Sequence, residues 1–168
     1  MRIARHASRL FKDQSVRDVE TAGGLAADVL AASILPQATA ELDRHRSEGT
    51  VLLLATTAPH ELATAFASIA GFDEVLCTRY RSIDGVYDGT NHGGYIWGEE
   101  KAAAVAEWAG RHAVDLTESY AYSDSWYDVP LLELVGTPAA VNADVRLNLY
   151  ARTKGWTRHT WAEDGAGS

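Results

Sequence analysis

The sequence predicts an α/β fold built on a parallel sheet. Short apolar strand candidates alternate with stretches of helical periodicity, the loops between them are short, and Pro and Gly punctuate the helix ends. Alternation of this kind implies βαβ units, whose strands lie parallel. The first 35 residues read as wholly helical and stand outside that rhythm.

Along the chain, Pro36 opens a helical stretch through Leu42 and His45, and Gly49 closes it. Val51 to Ala55 reads as a strand apolar on both faces. Pro59 starts a second helix, with Leu62, Phe66 and Ile69 at helical spacing, and Gly71 ends it. Glu74 to Thr78 is a second short strand. Tyr80 to Tyr95 is rich in turn residues, with Asp84-Gly85 and Asp88-Gly89 as hairpin signals. A helix over Glu99 to Arg111 leads to a strand at Ser119 to Tyr122. A short helix at Val129 to Val135, a strand at Ala139 to Val141 and a helix from Asp144 to Lys154 follow. Glu163 to Ser168 reads as a loose polar tail.

Composition narrows the function classes. At 168 residues the chain buries roughly two-thirds of its unfolded surface, enough for a core without staples. Hydrophobic residues at 46% and charged residues at 23% exclude a disordered chain. A net charge of −8 gives no general attraction for nucleic acid or an anionic membrane, and it tolerates a bound cation. The single Cys77 forms no internal disulfide and no cysteine-rich zinc site, which points to a reducing, cytoplasmic setting. The N-terminal basic residues Arg2, Arg5, Arg9, Lys12 and Arg17 lack the apolar stretch of a signal peptide, and the apolar run Val51 to Ala55 is far too short to cross a bilayer.

In a parallel α/β sheet, ligands bind at the carboxyl ends of the strands. After the first strand come Thr56, Thr57, Ala58 and Pro59, hydroxyls and amides entering a helix N-terminus, which suits either a phosphate or plain capping of the helix. After Ser119 to Tyr122 come Ser123, Asp124, Ser125, Trp126, Tyr127 and Asp128. Two carboxylates four apart at a strand end suit one hard cation, or else an N-cap by Asp124 or Ser125 beside a solvated Asp128. Lys101 lies near a helix start, where the dipole disfavours a cation, so it either faces solvent or has an anionic partner.

In this order the segments resemble the phosphoserine-phosphatase-like branch of the haloacid-dehalogenase-like (HAD-like) hydrolases. The resemblance runs from about Ile34 to Trp156. It rests on Leu54-Ala55-Thr56-Thr57-Ala58-Pro59-His60-Glu61-Leu62, on Lys101 within Gly98-Glu99-Glu100-Lys101, and on Ala121 to Glu133 with Asp124 and Asp128. Cys77-Thr78-Arg79, the turn Asp84-Gly85-Val86-Tyr87, and the run from Val135 to Asp144 accompany them. The resemblance implies a HAD-like Rossmannoid three-layer parallel sheet. It also implies Mg²⁺-dependent hydrolysis of a small phosphate monoester through an aspartyl-phosphate. By the same token Thr56 and Thr57 would bind phosphate, Lys101 would neutralise nucleophile and phosphate, Asp124 would ligate Mg²⁺, and Asp128 would support the metal or its waters.

The family's first motif, Asp-x-Asp-Gly-Thr, supplies the nucleophile and the general acid–base. No Asp-x-Asp occurs in the sequence; Val86-Tyr87-Asp88-Gly89-Thr90 has the motif's tail but Val in place of the nucleophile, and its surroundings fit a hairpin tip. The resemblance therefore implies a fold incomplete at the N-terminus. Residues 1–33 would be a remnant of the helical cap, 34–162 a partial core and 163–168 a tail. The expectation is a core fragment inactive alone, with Mg²⁺ held weakly and apolar sheet edges left open. The alternatives are a non-catalytic phosphate- and metal-binding relative, or a chain completed by a partner or a second copy. Tyr127 stands where many relatives have Asn, and Ser123 where many have Gly.

Overall fold

The computed structural model describes residues 8–162, so Arg2, Arg5 and the tail from Glu163 to Ser168 lie outside the described residues. The chain divides into two units. The first comprises the segment up to Ile34 together with Ala40–Ile96, and the second comprises Leu35–Thr39 and everything from Trp97 onward.

In the first unit, helix α1 (Val16–Ala32) buries Gly23 and Ala27, four apart on one face. Small residues there let its backbone close on helix α3 (His60–Ala70). A Cβ on Gly23 would lie 3.0 Å from the carbonyl carbon of Glu61, so only glycine fits this crossing without a shift. Helix α2 (Pro36–Ser47), in this unit from Ala40 onward, begins at the predicted proline, and Arg44 and Arg46 in its last turn complement the dipole. Strands β1 (Leu53–Pro59) and β2 (Glu74–Thr78) pair in parallel, Leu53 opposite Glu74 and Thr56 opposite Cys77. Gly71, at φ 76°, adopts the left-handed conformation that ends α3, as predicted.

Strands β3 (Tyr80–Ile83) and β4 (Val86–Asn91) form an antiparallel hairpin. Two expectations are corrected here. Asp84 and Gly85, both at positive φ, make the tight turn, whereas Asp88-Gly89 lies within β4, where the register shifts and the Gly89 Cα faces the Lys12 side chain. The first 35 residues are likewise not wholly helical. Asp13 takes φ 64°, its amide donates to the Tyr87 carbonyl, and Ser15 bridges Val86, so this stretch runs along the hairpin.

In the second unit, helix α4 (Glu99–His112) carries Glu99 and Glu100 in its first turn and Arg111 and His112 in its last. Strands β5 (Tyr120–Ser123), β6 (Thr137–Val141) and β7 (Thr157–His159) form a parallel sheet in that order. Helices α5 (Val129–Leu132) and α6 (Val145–Lys154) cover it. Val129, Leu132, Ala140, Leu147 and Ala151 are its buried centre, with Trp126, Tyr150 and Trp156 packed around them. Strand β7 was not expected, because Thr157 to His159 is three residues long and carries no apolar alternation. Among the described residues β1 pairs only with β2, and β5 only with β6; each ends its sheet with an open edge.

Candidate functional site

Strand β1 delivers Thr56 and Thr57 to its carboxyl end. The Thr56 hydroxyl accepts a hydrogen bond from the Ala58 amide at 3.1 Å, and the Thr57 hydroxyl donates to the Ile96 carbonyl at 2.9 Å. Neither caps α3: Pro59 occupies the N-cap position and no side chain accepts from the first turn. The helix N-terminus thus keeps amides without a side-chain acceptor, next to two hydroxyls.

The same unit holds a second polar cluster, with Tyr87 and Cys77 buried and His60 and Glu61 half-buried. The Tyr87 hydroxyl donates to Glu61 Oε1 at 2.5 Å, and burial, with that bond second, pushes the phenol well above its ordinary range. The Cys77 sulfur sits 3.5 Å from His60 Nδ1. Burial raises the Cys77 thiol and lowers the His60 imidazole, the neighbouring Arg79 adding to the latter.

The second unit gathers the charged candidates. Lys101 is the third residue of α4 and only 7% exposed; Asp128, which follows β5 by a short 3₁₀ turn, is 8% exposed. Lys101 Nζ lies 2.7 Å from Asp128 Oδ1, an ion pair set off the axis of a well-aligned hydrogen bond. Asp128 Oδ2 accepts from the Ser123 hydroxyl at 2.7 Å, and that hydroxyl accepts from the Ser125 amide at 3.1 Å. The surface reading of Lys101 and the solvated reading of Asp128 both give way to burial: two charges leave water together because each satisfies the other. Asp124 differs. It is exposed, and among the described residues its carboxylate has neither a hydrogen bond nor an ion pair. Ser125, not Asp124, caps the 3₁₀ turn, its hydroxyl accepting from the Tyr127 amide.

The structure therefore brings Lys101 and Asp128 together, and Thr56 and Thr57 together. Two residues went unremarked as site components. Ser123 orients Asp128, and only the tertiary contact reveals it. Asp144 accepts from three amides and reaches the loop that carries Asp124. Its sequence signal was an Asp just before the helical apolar spacing of Leu147 and Ala151.

The sequence pattern of the haloacid dehalogenase-like hydrolases matches residues 1–133. The chain belongs to that family. A relative from Mycobacterium tuberculosis, named a phosphoserine phosphatase, is 37% identical over 153 residues, covering 90% of this chain and 50% of its own length. A crystal structure of a protein of unknown function from Bordetella pertussis Tohama I superposes with TM-score 0.84 at 29% identity, over 93% of this chain and 72% of that one. A structure described as a probable phosphoserine phosphatase from Vibrio cholerae shares the fold at TM-score 0.72 and 15% identity, over 92% of this chain and 45% of that one. The chain spans about half the length of the curated relatives it matches.

Mg²⁺, which the family resemblance implies, meets a limited donor set. Among the described residues no group of three or more His, Cys, Asp or Glu side chains is placed to hold an ion. Asp124, with an unengaged carboxylate at a strand end, fits one oxygen position of a hard cation. Asp128 has both oxygens committed, to Lys101 and Ser123. No single helix among the described residues is long and apolar enough to cross a membrane.

Proposed function

We propose that this chain carries the phosphate- and metal-binding half of a HAD-like phosphomonoesterase acting on a small phosphorylated metabolite. The buried Lys101–Asp128 pair is the observation that supports this reading best. A lysine is held at the start of a helix, against the dipole, by a carboxylate that a serine hydroxyl fixes in place. A structural ion pair does not need that position; a site that must receive a phosphate dianion does.

In this reading the Thr56 hydroxyl and the Thr57 amide hold phosphate oxygens. Lys101 offsets the negative charge that gathers as the phosphoryl group moves from the ester oxygen to a carboxylate and then to water. Asp124 ligates Mg²⁺, which supplies charge neutralisation when bound, and Asp128 keeps the Lys101 ammonium oriented. The nucleophile and the general acid–base lie outside these 168 residues, in the Asp-x-Asp-Gly-Thr strand. Helix α1 (Val16–Ala32) is the end of the cap that precedes the core, and the chain works in the cytoplasm. The lack of any Asp-x-Asp also supports a second reading, a non-catalytic relative that binds phosphate without turning it over.

The purified chain should bind inorganic phosphate in a calorimetric titration, weaken on Thr56→Val, and leave p-nitrophenyl phosphate intact with Mg²⁺ present. Mg²⁺-dependent turnover that disappears in Asp124→Asn would refute the missing nucleophile. Absence of phosphate binding would refute the anion cradle. Translating the DNA upstream of Met1 separates the two readings: an in-frame Asp-x-Asp-Gly-Thr after an apolar strand supports the phosphatase, and its absence supports the binding relative.

A further inference from the structure

We infer that Asp144 is a positioning residue for Asp124, with its helix cap as a second and separable role. Its two oxygens do different things. Oδ1 accepts from the Arg146 and Leu147 amides, both at 2.9 Å, which caps α6. Oδ2 accepts from the Trp126 amide at 2.6 Å, eighteen residues away and outside the helix. The Asp144 amide completes the tie by donating to the Asp124 carbonyl at 2.8 Å. One residue thus grips the Asp124–Trp126 backbone on both sides, through its own amide and through its carboxylate.

The residue doing the gripping is itself fixed. Asn142, two residues earlier, takes φ 47°; its amide donates to the His159 carbonyl, and its side chain exchanges two hydrogen bonds with the Trp161 backbone, at 2.8 and 3.0 Å. The loop leaving β6 is therefore anchored to the chain beyond β7, and Asp144 passes that rigidity to the loop leaving β5. At the other end of the latter loop, Ser123 and Lys101 hold Asp128. Between these two anchors Asp124 has a fixed backbone and an unengaged carboxylate. A ligand held in that way loses little freedom on binding, which is how groups behind a metal ligand raise affinity.

This inference rests on Asp124 being a metal ligand, as proposed above, so its test separates the two. Asp144→Asn keeps an oxygen for the α6 cap, since Asn and Asp cap almost equally, but sets an N–H donor against the Trp126 N–H. Asp144→Ser also keeps a cap and cannot span to Trp126. In both variants, amide exchange followed by NMR should lose protection at Trp126 by at least ~10-fold while α6 amides stay protected. Mn²⁺ affinity measured by electron paramagnetic resonance should fall ~10-fold, the lower end for groups behind a metal ligand. Unchanged Trp126 exchange, or unchanged Mn²⁺ affinity where the parent chain binds Mn²⁺, overturns the inference. If the parent takes up no Mn²⁺, or Asp124→Asn binds it as well, the reading of Asp124 as a ligand falls instead, and the Trp126 exchange alone decides whether Asp144 sets that loop.

Discussion

At the end of β1, Thr57 is exposed, its hydroxyl bonded to one carbonyl, and the helix that follows has no side-chain cap. At the end of β5, nearly every polar group is committed: Ser123 to Asp128, Asp128 to Lys101, Ser125 to Tyr127, and Asp144 to Trp126. The first strand end leaves the first-turn amides of α3 without a side-chain acceptor. The second stores its charges in a preformed network and, among the described residues, leaves the Asp124 carboxylate without a hydrogen bond or ion pair. Open groups can bind without being rebuilt, whereas a charged group buried before its ligand arrives needs partners of its own.

That contrast breaks most visibly at Lys101. Lys101→Met leaves the Asp128 carboxylate buried without its counter-charge and should cost ~3–5 kcal/mol in urea unfolding. Adding Asp128→Leu should recover most of the loss, because the penalty lies in the orphaned charge; no recovery would mean that the pair matters through packing. In the first unit, Tyr87→Phe removes the donor to Glu61 and should cost ~1–3 kcal/mol, by the same measurement, for the carboxylate left unsatisfied. Thr57→Val, at the open strand end, should cost no more than ~1 kcal/mol, since its single bond is exposed. A larger loss at Thr57 than in Lys101→Met would abolish the distinction between an open and a committed strand end.

The smallest effect is a pH dependence. Hydrogen bonds from the Leu147 amide, and then from the Trp126 and Arg146 amides, hold the Asp144 carboxyl below its ordinary value of 3.8. A carboxylate lowered on folding adds stability that is fully present above the unfolded value and is lost as the pH falls through the folded one. Thermal melts of Asp144→Asn should therefore approach the parent as the pH drops below 3.8, and lie below it at neutral pH. A constant gap across that range would assign the effect to geometry instead of charge.

Much of this was legible in the sequence because it is local. Glu74–Thr78 and the start of helix α4 at Glu99 follow from apolar runs and punctuation, which depend on neighbouring residues alone. Asp84-Gly85 and Asp88-Gly89 present the same dipeptide, and nothing local distinguishes the turn from the shifted register; the approach of Lys12 to Gly89 does. The segment before α1 reads as helix because its partner, the β3–β4 hairpin, lies about seventy residues downstream. At the site, Asp124 and Asp128 stood out by spacing. The burial of Lys101 did not, since a lysine in a helix's first turn looks the same in sequence whether it faces water or a carboxylate 27 residues on. Asp144 looked like an ordinary cap because its second oxygen acts only across the fold.

The open edges of β1 and β5 bear on how the chain behaves in a crowd of its own copies. Each edge offers unpaired amides and carbonyls to any extended strand of suitable register, including the same segment of another molecule. Leu53 to Ala55, apolar and uncharged, is the stretch most exposed to such strand addition, and Pro59, which has no amide hydrogen, stops it from running past the strand's end. Heating should therefore end in irreversible self-association whose onset depends on protein concentration, and a lysine at Leu53 should postpone it by placing charge along the edge.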